Sequence, residues 1–179
     1  MSRLPEGDGG AARFAFLDSW WVSLSPEQVW DLLARPRYYP LWWRGGFPSC
    51  LDADPGPPTV GNRATLVVQG FLPYRLTMGT QAAVLERPSR IVADASGDLV
   101  GRGEWSIAGE GMGSRATFDW RVEVTAPLER RLAGPLGRLL AANHRWTMWL
   151  GRRGIERHGP AVLSALDEGA PGADRGHGL

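Results

Sequence analysis

Between Arg13 and Leu24 the chain alternates. Phe14, Phe16, Asp18, Trp20 and Val22 fall on one side of an extended backbone, and Arg13, Ala15, Leu17, Ser19 and Trp21 on the other, which is the two-residue period of a strand. Asp18 is the odd member of an otherwise apolar face. Either a bulge or shifted register turns it to solvent, or a carboxylate faces the interior and needs a partner there. A helix start follows at once: Ser25 is a suitable N-cap, Pro26 occupies a position where its missing N–H costs nothing, and Gln28 completes a capping box. Val29, Trp30, Leu32 and Leu33 give that helix its apolar side, and it must end before Pro36. A second short turn, Tyr38 to Trp43, ends at Gly45 and Gly46.

The middle of the chain returns to the strand period. The spacing predicts strands near 47–53, 60–69, 72–86, 90–95, 100–108 and 114–125, separated by short turns rich in Gly, Pro, Asp and Ser. Connections this short join antiparallel neighbours. Phe118, Trp120, Val122 and Val124 form the clearest inward series, Trp105 and Ile107 a second, and Tyr74, Leu76, Met78, Thr80, Ala82 and Val84 a third. The period then becomes helical from about Leu128 to Leu166, with a break at Gly134-Pro135 and a weaker one at Gly159-Pro160. His144, Met148, Gly151, Ile155, Val162 and Leu166 share one stripe of that helix. From Ala141 to Leu166 it would run about 39 Å, enough to cross a small domain. The predicted architecture is therefore α+β: a curved antiparallel seven-stranded sheet wrapped around a long C-terminal helix, with two short helices after the first strand. Residues 1–12 read as a flexible arm, 13–168 as one domain, and 169–179 as a disordered tail.

Composition narrows the function classes. Of 179 residues, 43% are hydrophobic and 22% charged, as in an ordinary globular domain. A net charge of +1 supplies no overall field for gathering phosphates or anionic lipid, and the arginines are scattered except at Arg130-Arg131 and Arg152-Arg153, so nucleic acid is not an expected partner. All 20 basic residues are arginine, which excludes lysine Schiff-base chemistry and a P-loop lysine. Cys50 is alone and forms no internal disulfide. No stretch approaches the ~20 apolar residues of a membrane span, and no signal peptide is evident. A cytoplasmic protein, monomeric or homodimeric, without cofactor, is the resulting expectation.

The order of elements, the Ser25-Pro26-Glu27-Gln28-Val29-Trp30-Asp31-Leu32-Leu33 helix and the Trp42-Trp43 pair resemble the START-like helix-grip (SRPBCC) superfamily. Within it, the polyketide cyclase/dehydrase-type proteins look most similar. Leu99 to Trp105, Phe118-Asp119-Trp120 and Asn143 to Met148 agree with that resemblance, which covers residues 13 to 168. It implies a deep apolar cavity between sheet and long helix, with its mouth near the short helices and strand loops. Members bind lipids, sterols, quinones, plant hormones or polyketides, and only some catalyse a reaction. No family-wide catalytic signature is present to carry over.

Candidate chemistry is sparse. Gly101-Arg102-Gly103 lies within a strand pattern and lacks a third glycine, so it is not a dinucleotide motif; such glycines let a sheet bend or a backbone come close. His144 and His158 would stand about 21 Å apart on one helix, so the histidines form no metal site. His144 should face the sheet, either tied to a backbone carbonyl as a structural group or available as a hydrogen-bonding group in a cavity. Gly151 and Gly154, costly in a helix, imply that something packs closely on them. The expected ligand wall is Tyr74, Met78, Trp105, Phe118, Trp120, His144 and Met148, with Tyr39 and Trp43 at the entrance. Three functions remain open. One is a binder of a hydrophobic or aromatic small molecule, lipid-, quinone- or polyketide-like. Another is a cyclase/dehydrase-like enzyme in which His144, with Asp18, moves a proton. The third is a protein-interaction module, which has less support because no long exposed apolar stripe is evident.

Overall fold

The computed structural model of the chain describes residues 13–71, 74–125 and 136–169. Seven strands form one sheet: β1 (Arg13–Val22), β2 (Ser49–Ala53), β3 (Arg63–Val68), β4 (Leu76–Glu86), β5 (Arg90–Gly97), β6 (Leu99–Glu110) and β7 (Gly113–Val124). Their spatial order is β1-β7-β6-β5-β4-β3-β2, every pair antiparallel. Between β1 and β2 lie α1 (Pro26–Leu33), a single 3₁₀ turn (Pro36–Tyr38) and α2 (Tyr39–Trp42), and α3 (Leu136–Gly169) closes the fold. This is the helix-grip layout anticipated from the pattern. The expected N-terminal arm, the C-terminal tail beyond 169 and the helical segment 128–135 lie outside the described residues.

Local chemistry fixes the elements as anticipated. The Ser25 hydroxyl accepts from the Gln28 amide while the Gln28 side chain accepts from the Ser25 amide, so two orphan donors of α1 are satisfied together. Asp31 then fastens α1 to its surroundings by ion pairs with Arg35 and Arg87, each at 2.8 Å. Burial opposes its ionisation, but the hydrogen bonds from Arg87 and Arg35 outweigh that cost and hold its carboxyl below the usual range.

Two expectations are corrected. The helix continues through Gly159-Pro160 and on to Gly169. Proline forfeits one hydrogen bond there, yet Ile155 and Val162 are buried on either side, and Gly159 lies close under Leu32. Packing outweighs the local break. The inward series on β4 also changes phase: the pairing with β5 shifts between Ala82 and Val84, and Leu85 rather than Val84 reaches the interior. A bulge inserts one residue and so inverts the alternation beyond it.

The core is an aromatic cluster between the sheet and α3. Trp43 meets Trp20 of β1 at 5.3 Å between ring centroids, Phe47 at 4.8 Å and Tyr39 at 5.6 Å, and Trp20 meets Trp105 of β6 at 4.8 Å. Such pairs each add about 0.5–1.5 kcal/mol beyond area burial. The Trp43 indole N–H donates to the Thr147 carbonyl of α3 at 2.7 Å. The glycines of α3 make this approach feasible: a Cβ at Gly151 would overlap the Trp43 and Trp20 rings, and one at Gly154 the backbone carbonyl of Trp42.

Gly154→Ala tests that contact. Helix propensity alone favours alanine by ~1 kcal/mol, whereas forcing a methyl against backbone costs typically ~1–3 kcal/mol or more. A net destabilisation in chemical denaturation is expected, and an unchanged or raised stability would contradict the packing of α3 on α2.

Candidate functional site

A cavity of about 620 Å³ lies between the concave face of the sheet and α3, within the ~300–1,000 Å³ typical of small-molecule sites. Its floor is aromatic. Trp105 on β6 stacks on Phe118 on β7 at 4.5 Å, and Phe118 on Trp120 at 5.8 Å, with ring planes 21° and 16° apart. Gly103 sits opposite Trp120 across the β6–β7 pair, where a Cβ would come within 2.9 Å of both the Phe118 and Trp120 rings. The glycine of the rejected dinucleotide motif thus makes room for the aromatic floor. On β1, Phe16 lies opposite Trp120 and extends the same surface.

The polar focus is a pair that bridges sheet and helix. β1 and β7 pair without a register shift from Arg13 to Val22, so Asp18 keeps the inward phase of its neighbours. Its Oδ2 is 2.7 Å from Nε2 of His144. The two side chains are only 22% and 14% exposed, which makes a carboxylate tolerable only because it is paired. An ionised carboxylate can only accept, so the bond is Nε2–H donating to Asp18, and in the neutral ring the lone pair lies on Nδ1. Nδ1 has no hydrogen-bond partner among the described residues. The ring stacks on Phe16 at 4.1 Å and 17°. His144 lines the cavity and Asp18 does not. The carboxylate therefore stands behind the imidazole and orients it, rather than meeting an occupant itself.

Of the residues placed on the ligand wall from sequence, Met78, Trp105, Phe118, Trp120, His144 and Met148 line the cavity, as do Tyr39 and Trp43. Tyr74 is not among the lining residues; it packs beside Leu76 and Val124, and its hydroxyl is buried without a partner among the described residues. Tyr39 and Trp43 do not stand at an entrance. Both are buried, and the Tyr39 hydroxyl donates to the Leu33 carbonyl at 2.6 Å, with burial pushing the phenol pKa up. The exposed lining residues are instead Arg37 of the 3₁₀ turn, Asp54, Gly56, Pro57 and Thr59 of the β2–β3 loop, Arg63 of β3, Asp94 of β5 and Ala165 of α3. The opening thus involves the short helical turns and a strand loop, where the resemblance implied it. Sequence reasoning had no signal for Arg37, in a short 3₁₀ turn without periodicity, or for Arg63, whose strand pattern does not set it apart from other outward arginines. Asn143 also lines the cavity and lies directly against Gly70.

No family model matches the sequence, and no curated protein does. Solved structures do match in shape. TTHA0849 from Thermus thermophilus is 16% identical with a TM-score of 0.62, the alignment covering 83% of this chain and 98% of that one. The major latex-like protein 151 of Panax ginseng is 13% identical, TM-score 0.60, covering 82% and 97%. The di-domain ARO/CYC BexL from the BE-7585A biosynthetic pathway is 18% identical, TM-score 0.60, covering 80% of this chain and 50% of BexL. This chain therefore spans about half the length of that di-domain protein. The ARO/CYC polyketide cyclases and the major latex-like protein are members of the SRPBCC, or START-like, superfamily. The chain has the same START-like helix-grip fold.

The geometry of the pair is testable without a ligand. In the neutral state ¹⁵N NMR should find the proton of His144 on Nε2, and Asp18→Ala should destabilise the fold by ~1–3 kcal/mol through an unpartnered imidazole N–H. Nδ1–H in the wild-type protein, or an Asp18→Ala variant of unaltered stability, would contradict the pair.

Proposed function

We propose that the protein binds a hydrophobic or aromatic small molecule, lipid-, quinone- or polyketide-like, in the cavity between the sheet and α3. The observation that carries this reading is the wall itself: 620 Å³ bounded by the stacked Trp105, Phe118 and Trp120, by Phe14 and Phe16, and by Leu66, Met78 and Met148. A flat apolar molecule gains about 25 cal/mol for each Å² removed from water, and the stacked rings offer it a plane. The likeness in fold to ARO/CYC polyketide cyclases and a latex-like protein supports an interior site of this kind. The opening near Arg37 and Arg63 gives the occupant a polar end to leave in water.

A second reading rests on one observation, the Asp18–His144 pair. Asp18 holds the imidazole so that Nδ1, the basic nitrogen of the neutral ring, is left without a partner among the described residues, in a side chain that lines an apolar wall. In a cyclase- or dehydrase-like reaction Nδ1 accepts a proton from carbon or oxygen next to a carbonyl, Asp18 stabilises the imidazolium formed, and the same nitrogen returns the proton to the product. Net charge on protein and ligand is conserved through that cycle.

The two readings separate on substitution. For a binder, His144→Ala changes affinity by no more than a hydrogen bond's net worth, ~0.5–1.5 kcal/mol. Trp120→Ala costs about 2 kcal/mol, or roughly thirtyfold in Kd, by removing one ring face. For an enzyme, His144→Ala lowers turnover by ~10²- to 10⁴-fold with little loss of binding. Calorimetric titration and conversion assays with a panel of polycyclic phenols, quinones and acyl compounds read both quantities. Affinity indifferent to Trp120→Ala would count against the cavity as the binding site.

A further inference from the structure

The outer face of α3 contains an aromatic patch that neither the core nor the cavity uses. Trp146 and Trp149 are each 43% exposed and Phe71 is 50% exposed. They form one group: Trp146 stacks on Trp149 at 5.0 Å, and Phe71 meets Trp146 edge-on at 6.5 Å. The exposed apolar surface that the sequence did not reveal is therefore present, assembled from one helix face and the segment after β3. Two large indoles left half in water are costly for a surface with no partner.

The surrounding charge says what kind of partner fits. Arg145, Arg152, Arg153 and Arg157 are exposed on the same helix, and Arg153 lies over the Trp149 ring at 4.6 Å. None of the four is in an ion pair among the described residues, whereas Arg90, Arg102, Arg115 and Arg121 of the sheet each hold a carboxylate. A shallow depression of about 210 Å³ adjoins Trp149, lined also by Arg44, Arg153, Arg157 and His158. Cationic side chains converge there beside an exposed aromatic edge.

We infer that this face docks on an anionic lipid bilayer, with Trp146, Trp149 and Phe71 in the headgroup–acyl boundary and the arginine-lined depression over lipid phosphates. Indole rings favour that boundary because one edge is polar and the rest is not. Arginines beside them add attraction to anionic headgroups and can extend their charged ends to the phosphate level. A second copy of the chain fits less well. A two-fold contact sets like against like, so unpaired arginines would meet across it. The inference is independent of what the cavity holds, since the face lies on the opposite side of α3.

Vesicle co-sedimentation of the full chain tests it. Binding is expected to vesicles with roughly one third phosphatidylglycerol in phosphatidylcholine, at least tenfold weaker to phosphatidylcholine alone, and reduced by about 0.5 M salt. Tryptophan fluorescence should shift blue on binding. Trp146→Ser/Trp149→Ser and, separately, Arg153→Glu/Arg157→Glu should each weaken association about tenfold or more while circular dichroism stays native. No association with the anionic vesicles, equal binding to neutral ones, or binding indifferent to both variants would overturn the inference. So would sedimentation velocity showing a dimer that Trp146→Ser/Trp149→Ser dissociates.

Discussion

The structure depends on how closely α3 can approach the elements beneath it, and Trp42 and Trp43 set that approach. Trp43 stands between sheet and helix, with Trp20 and Trp105 on one side and the Thr147 carbonyl and Gly151 on the other. A side chain larger than hydrogen at 151 or 154 would push the helix away. The same indole spaces the layers apart next to the cavity and forms part of its wall. The packing that joins the helix to the sheet is thus also what bounds the interior volume. A smaller residue at 43 would be expected to let the layers collapse or to open the cavity further, so fold and site cannot be altered separately there.

Within that frame, Asp18 and His144 are the expensive choice. An apolar residue at 18 would continue the Phe14, Phe16, Trp20, Val22 series at no desolvation cost. Placing a carboxylate there needs an imidazole from the helix opposite, and the 2.7 Å bond couples the sheet to α3 at the cavity wall. The bond leaves Nδ1 as the basic nitrogen of the neutral ring, in a side chain that stacks on Phe16 and lines the cavity. Whether as a hydrogen-bond acceptor that orients an occupant or as a base, the pair confers direction on a wall that otherwise supplies only area.

Most of the architecture was legible because it is periodic. The capping box at Ser25, the alternation in β1 and β7 and the stripe from His144 to Leu166 each follow from one local rule, and the order β7 to β2 is what short antiparallel connections produce, whereas β1 beside β7 is a long-range pairing. The inward phase of Trp105, Phe118 and Trp120 came from the same reading. What escaped was set by tertiary context. The bulge at Ala82/Val84 inverts an alternation that is regular in sequence, and the continuation of α3 through Pro160 reflects burial of its neighbours rather than propensity. The burial of Tyr39 within the wall rather than at an entrance depends on a carbonyl six residues earlier. The orientation of Asp18 needed a partner 126 residues away. The exposed tryptophans of α3 escaped for a related reason: Trp146 and Trp149 form a patch only together with Phe71, from a distant segment.

Native mass spectrometry of the purified protein, before and after incubation with flat polycyclic phenols, quinones and acyl compounds, addresses the interior site most directly. A one-to-one noncovalent complex with an apolar molecule is expected, lost when a bulky side chain fills the cavity in a Thr80→Trp variant that remains folded. A bare chain mass under all these conditions, or a complex that survives Thr80→Trp, would contradict it.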